Sequence, residues 1–264
     1  MSESVKWKVT GTLPEIYEQV FVPAVMRLWA SRLVDLVEPL PGTQILDVAC
    51  GTGVVAHLFV ERIGNAGRVV GYDISPEMMA IARAKQSNSA IEWRQGNALE
   101  LPFQDGAFDI VTCQHGLMFF EDRVRGLQEM YRVLAPGGSL LVLVWGAIEH
   151  NPGFFAVAEG FKRHVSVEAS DSIRGSFVLG DNHQVRLLAD AAGFQNAVIQ
   201  ELTEQAYFPS VEIHVHGYGA MLQAVVDEAV HTRLITDVTV ALQSYVNHAG
   251  LHCPMEAILM HVRK

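Results

Sequence analysis

Two short stretches carry residue types whose spacing suits cofactor chemistry. In the first, Asp47 precedes the run Ala49-Cys50-Gly51-Thr52-Gly53, and in the second, Asp73 closes an apolar run 20 residues past Gly53. Glycines at 51 and 53 let the backbone bend sharply and let a ligand approach main-chain N–H groups at a helix start. A carboxylate at that spacing, on the end of the next strand, suits the two hydroxyls of an adenosine ribose. These residues imply an adenosine-containing cofactor. The segment Gly51-Thr52-Gly53-Val54-Val55-Ala56 also satisfies the G-x-G-x-x-G/A dinucleotide pattern, a weak signal alone. Asp47 argues against a dinucleotide, because a carboxylate facing the cavity repels a pyrophosphate and attracts an ammonium or sulfonium.

The elements that position these residues can be read from periodicity. Apolar residues from Pro14 to about Glu38 recur at helical spacing, and Pro23 is expected to start a second helix there. Strands are expected at Ile45 to Ala49, Arg68 to Tyr72, Ala90 to Arg94, Phe108 to Cys113 and Ser139 to Trp145, the last after a turn at Pro136-Gly137-Gly138. Helices alternate with them at Val54 to Ile63, from a cap at Ser75-Pro76, and at Arg123 to Leu134. Five alternations indicate an α/β fold with a parallel sheet and helices on both faces. A helix over 182–192, a strand over 194–208, a helical stretch at 211–248 and a last strand from Ala257 to Val262 complete the pattern. The irregular blocks 147–182 and 210–253 read as insertions. The domain plan is a helical cover (1–40), a cofactor-binding core (41–146), a substrate lid (147–182) and the rest of the core with the second insertion (183–264).

Ligands of parallel sheets bind beyond the carboxyl ends of the strands. The residues found there are Asp47 to Gly53, Asp73, Asn97, Gln114 with His115, and Gly146 to His150.

Composition sets the partners. Nineteen basic residues against twenty-nine acidic ones, a net charge of −10, give no footprint for a phosphate backbone, so nucleic acid is excluded as partner. Half the residues are apolar and 18% charged, which also excludes a disordered chain. Three scattered cysteines make neither a disulfide scaffold nor a metal site. No segment has the length of a membrane helix, the first residues lack the apolar core of a signal peptide, and a cytoplasmic setting is expected. The apolar residues of 147–253 suit a lid and chamber for a greasy acceptor, or a homodimer face.

LDVACGTG at 46–53, YDIS at 72–75, GNALELPF at 96–103, FDIVTCQHGLMFFEDR at 108–123 and RVLAPGGSLLVLVW at 132–145 together resemble the successive motifs of class I S-adenosylmethionine-dependent methyltransferases. Within that superfamily they are most similar to the small-molecule methyltransferases of ubiquinone and menaquinone biosynthesis. The resemblance covers roughly residues 40–146. It implies a Rossmann-like, seven-stranded, mostly parallel sheet with the last strand antiparallel and helical lid insertions. It also implies S-adenosyl-L-methionine as cofactor. Asp47 and the loop Ala49 to Gly53 would hold its methionine part, Asp73 the ribose, Ile74 and Met78 the adenine face, and Asn97 with the Ala98 N–H the adenine edge. Gln114 would line the floor and Tyr17 would cover the cofactor. The family often has Gly at the position of Ala49 and Asp at that of Asn97.

Methyl transfer is then expected to an O, N or C atom of a small, largely apolar acceptor, with His150 or His115 as base where one is needed. His214 and His216 are expected on one strand face without a third ligand, so no metal site is expected. Two other readings remain open: an NAD-dependent oxidoreductase, and a non-methylating protein that keeps the cofactor as scaffold.

Overall fold

The computed structural model describes residues 7–85 and 91–264, so Ala90, the expected start of the third strand, lies outside the described residues. The chain divides into two compact units. A sheet unit comprises Arg27–Trp145, Leu179–Leu202 and Ala257–Lys264, and a helical unit comprises the chain up to Met26, Gly146–Val178 and Thr203–Glu256.

The chain enters through a single turn, α1 (Leu13–Ile16), a π-helical segment (Tyr17–Met26) and α2 (Arg27–Val37). Pro23 therefore does not start a helix. It sits inside the π-helical segment, whose wider turns absorb the missing N–H and the ring's crowding of the preceding carbonyls.

In the sheet unit, β1 (Gln44–Val48), α3 (Val54–Ile63), β2 (Arg68–Asp73), α4 (Pro76–Ala84), β3 (Ile91–Gln95), β4 (Phe108–Gln114), α5 (Arg123–Val133) and β5 (Leu134–Trp145) follow in turn. β1 pairs in parallel with both β2 and β4, β2 with β3, and β4 with β5. The chain thus runs from β1 outward one way and resumes at β4 on the other side. The carboxyl ends of β1 and β4 flank the point where strand order reverses, where open parallel sheets bind ligands. Ile45, Leu46 and Val48 are fully buried, as a strand covered on both faces requires. Ser75 starts α4 as expected, its Oγ accepting the Met78 N–H at 3.1 Å, with Pro76 in the first helical position. The Pro136-Gly137-Gly138 segment differs from expectation. It belongs to β5, which begins at Leu134, and the register with β4 shifts between Phe108 and Ile110, so the glycines form a bulge.

The later elements are α6 (Pro152–His164), α7 (Val167–Arg174), α8 (Asn182–Ala191), β6 (Val198–Phe208), α9 (Val211–Met221), α10 (Glu228–Ala241), β7 (Val246–Asn247) and β8 (Gly250–Arg263). The sheet order is β3-β2-β1-β4-β5-β8-β6, the expected seven strands, with the two-residue β7 paired to β8 as an eighth. β8 is antiparallel to β5, from Ser139 opposite Arg263 to Trp145 opposite Ala257. It begins at Gly250, seven residues before the expected Ala257. Leu251, Cys253 and Met255 alternate inward there, a period of two that Gly250 and Pro254 conceal.

In the helical unit, α6 packs on α10 through Gly160, where a Cβ would meet Val238 at 2.7 Å. His214 and His216 are not on a strand. Both lie on α9, whose N-terminus Ser210 caps, and two residues apart on a helix they point in different directions. Among the described residues no helix is long and apolar enough to cross a membrane.

Candidate active site

Beyond β1 the backbone turns through left-handed conformations at Ala49 (φ +54°), Gly51 (φ +55°) and Gly53 (φ +84°) before α3 begins. At Gly53 glycine is required twice over. A Cβ would be strained there and would stand 2.3 Å from the Trp93 ring. Around Gly51, by contrast, nothing lies within 4 Å of a Cβ, so this side of the loop is open. Asp73 anchors the loop: its Oδ2 accepts the Gly51 N–H at 2.7 Å and its Oδ1 the Ser75 N–H at 2.9 Å. The carboxylate thus joins the glycine loop to the end of β2.

Asp47 is 1% exposed. Its Oδ1 accepts the Thr112 hydroxyl at 3.0 Å, while its Oδ2 is buried without a hydrogen-bond partner. Burial raises its pKa to about 7, against the opposing pull of Thr112 and the Ala56 amide. An orphaned carboxylate oxygen beside an open glycine loop and a helix N-terminus fits a ligand with a cationic end and suits a sulfonium-bearing amino acid nucleoside.

Past β2, Ile74 is 65% exposed and Met78 is half-buried. An apolar side chain so exposed at a strand end suits one face of a planar base. After β3, the Asn97 side chain closes its own turn by accepting the Leu99 N–H at 2.9 Å, and the Ala98 residue is buried. The loop that follows hangs from α5. Glu129 accepts the Leu101 N–H at 2.9 Å, and Arg132 donates to the carbonyls of Leu101 and Phe103 at 2.9 and 2.8 Å.

β4 ends in Gln114, half-buried, and His115 takes a left-handed conformation (φ +50°). The His115 ring stacks on Trp145, centroids 3.8 Å apart and planes 8° apart, with Trp29 edge-on at 6.2 Å. Neither ring nitrogen has a hydrogen-bond partner, and burial lowers the pKa to about 3, so the imidazole is neutral. Gly116 packs on the β1 loop, where a Cβ would meet that of Ala49 at 2.5 Å.

Asp47, Ala49, Gly51, Gly53, Asp73, Ile74, Met78, Asn97, Ala98, Gln114 and His115 therefore all lie at or just beyond the carboxyl ends of β1 to β4. The other two candidates belong to the helical unit. Tyr17 opens the π-helical segment, and His150 is exposed, with its Nδ1 2.8 Å from Glu256. Four residues escaped the reading of the sequence: Thr112, which fixes Asp47, and Trp29, Trp93 and Trp145. A lone hydroxyl within the apolar run of β4 was the one available signal for Thr112. Among the described residues no group of His, Cys, Asp and Glu is arranged to hold a metal.

The sheet order and this loop agree with the class that comparison with known proteins gives, the S-adenosylmethionine-dependent methyltransferases. The model of the ubiE/COQ5 methyltransferase family matches residues 15–226. A demethylmenaquinone methyltransferase of Lactococcus lactis is 33% identical over 198 residues, 74% of this chain and 77% of that protein. The chloroplastic 2-phytyl-1,4-beta-naphthoquinone methyltransferase of Arabidopsis thaliana is 42% identical over 123 residues, a match spanning 44% of this chain and about half of that protein (47%). A solved structure from Bacillus halodurans shares the fold, with a TM-score of 0.61 and 24% identity over 89% of this chain and 98% of that one. The chain belongs to the ubiE/COQ5 methyltransferase family.

Proposed function

We propose that the chain methylates a ring carbon of a reduced 1,4-naphthoquinone-type acceptor bearing an apolar tail. The observation that carries this reading is the family match, which extends beyond the cofactor loop through residue 226 and so takes in much of the helical unit. The names of the Lactococcus and Arabidopsis relatives supply the acceptor class. The apolar 147–182 block is proposed as part of the acceptor's cover.

S-adenosylmethionine, when bound, supplies a methyl group on a positively charged sulfur that becomes neutral in the transfer. Asp47 would take the cofactor's ammonium end. Contact with the sulfur itself would favour the charged ground state and slow transfer. Asp73 would accept the ribose hydroxyls, Ile74 and Met78 would cover the adenine, Asn97 and Ala98 would read its edge, Gln114 would form the floor, and Tyr17 would close over it.

A ring carbon ortho to a hydroxyl becomes nucleophilic as the hydroxyl proton departs; once it has taken the methyl group, the same carbon gives up its own hydrogen as a proton, which restores the aromatic ring and returns the hydroxyl. We assign the hydroxyl proton to His150, because Glu256 at 2.8 Å can hold the imidazole in one tautomer and balance the charge it gains. His115 is the weaker candidate: burial so disfavours its charged form that it serves better as a rigid wall.

The test is anaerobic incubation of the chain with S-adenosylmethionine and a 2-prenyl-1,4-naphthohydroquinone. S-adenosylhomocysteine and a ring-methylated product should form in equal amounts, and turnover should fall in His150→Ala at unchanged cofactor affinity. An O-methylated product alone rejects the ring carbon as the methylated atom, and no product at all rejects the acceptor class.

A further inference from the structure

The helix α9 carries two buried histidines in opposite states. His216 is satisfied: its Nδ1 accepts the Lys8 N–H at 2.9 Å and its Nε2 lies 3.3 Å from Nε2 of His231. His214, 0% exposed, has no well-formed hydrogen bond at either ring nitrogen, with the Gly153 backbone as its polar neighbour. Its surroundings are rings: Phe208 with centroids 4.1 Å away, Phe154 at 5.4 Å and Tyr218 at 5.7 Å, the last two edge-on. Phe21 adds a further edge-on contact to Tyr218 at 5.0 Å. Leaving two polar nitrogens unmet among aromatic rings is costly, and a purely structural role is filled more cheaply by Leu or Phe.

We infer that His214 binds a ring oxygen of the acceptor, with Phe154, Phe208 and Tyr218 flanking the acceptor's aromatic nucleus. Gly153 borders Nε2, and a Cβ there would stand at ordinary contact distance, 3.6 Å, from that nitrogen and 3.3 Å from Sγ of Cys253. Tyr218 is half-buried, whereas Phe154 and Phe208 are buried. Burial lowers the His214 pKa to about 4, so the ring is neutral near pH 7. A neutral imidazole offers one donor and one acceptor, which matches a hydroxyl or a quinone carbonyl. A carboxylate or phosphate would find no countercharge among these rings. Edge-on aromatic contacts favour a flat aromatic ligand over an aliphatic one.

This assignment rests on the proposed acceptor class, and the experiment separates the two. Binding of 1,4-dihydroxynaphthalene and of 1,4-dimethoxynaphthalene is measured by anaerobic calorimetry with S-adenosylhomocysteine present. The unaltered protein should prefer the dihydroxy compound by about tenfold or more, as expected for a buried polar group left unmet by the ether. His214→Phe should abolish that preference and raise KM for the quinol with little change in kcat, and His214→Gln should restore part of it. S-adenosylhomocysteine affinity should be the same in all three, which verifies folding. In the unaltered protein the His214 ring nitrogen resonances should also shift when the dihydroxy compound is added and stay put with the dimethoxy one. Undiminished preference in His214→Phe, with turnover of the quinol intact, overturns the His214 assignment and leaves the proposed function standing. Failure of the unaltered protein to turn over any quinol removes both.

Discussion

Asp47 is a carboxyl held for a cation. Burial raises its pKa from 3.8 to about 7, so near neutrality much of the ligand-free protein carries it protonated. A bound ammonium favours the anion and lowers that value, so ligand and proton compete for the same oxygens. Binding of S-adenosylhomocysteine should therefore release a fraction of one proton near pH 6.5, seen as a dependence of calorimetric heat on the buffer's ionisation enthalpy. Affinity should rise through pH 7 and level off above about pH 8. Asp47→Asn should remove both effects and weaken binding at pH 8 by about tenfold or more. Proton-independent binding in the unaltered protein would mean that the ligand's charged end lies elsewhere. Asp73 has a different burden. Because it holds two backbone N–H groups, any ribose it binds shares oxygens already used to shape the loop.

At the scale of elements, α5 supports the site without lining it. The Glu129 carboxylate, 4% exposed, meets the Leu101 N–H together with Arg132 at 2.7 Å and Arg125 at 3.1 Å. Arg132 in turn supports the segment that follows Asn97 and Ala98. Glu129→Ala should cost roughly 2–3 kcal/mol in urea unfolding, somewhat less than a fully buried pair because Arg132 keeps partial access to water. It should also weaken S-adenosylhomocysteine binding. Lost stability with unchanged affinity would show that the loop after β3 takes no part in holding the cofactor. The strands and the caps of this unit were legible because each has a local signature: Ser75 before Pro76, or the apolar run before Gly51. The departures occur where tertiary packing overrides such a signature. Pro23 reads as a helix start, yet the surrounding apolar face is continuous and the helix widens to keep it. Pro136-Gly137-Gly138 reads as a turn, yet β4 captures it as a bulge. His214 and His216 alternate with apolar neighbours as a strand would, and only the cap at Ser210 marks the helix. Site residues named from motifs fell where parallel strands end, whereas Thr112, Trp93 and the His115–Trp145 stack depend on contacts between strands and leave no mark in spacing.

For the whole molecule, buried titrating groups pull stability in opposite directions with pH. His115 and His214 have folded pKa values of about 3 and about 4 against 6.5 in the unfolded chain. Their neutral burial costs nothing extra above pH 6.5 and destabilises progressively as pH falls below it, when the unfolded state gains protons the folded state refuses. Asp47 acts inversely: its contribution is whole below its unfolded value of 3.8 and is lost as pH rises to about 7. Urea unfolding of the ligand-free protein should show stability rising from pH 4.5 to about 6.5 and then flattening or dipping to pH 7.5. In Asp47→Asn the dip should vanish and the acid side remain. A profile that falls steadily from pH 5 upward would contradict the histidine contribution.

The tryptophans extend this to light. Trp93 fills the space over Gly53 and Gly71, and Trp29 and Trp145 enclose His115, so three indoles of the sheet unit stand at the cofactor loop or beside the end of β4. The protein thus carries its own chromophores where the ligand is expected to dock, and the colour and intensity of its ultraviolet emission become a label-free record of whether that loop is closed on something.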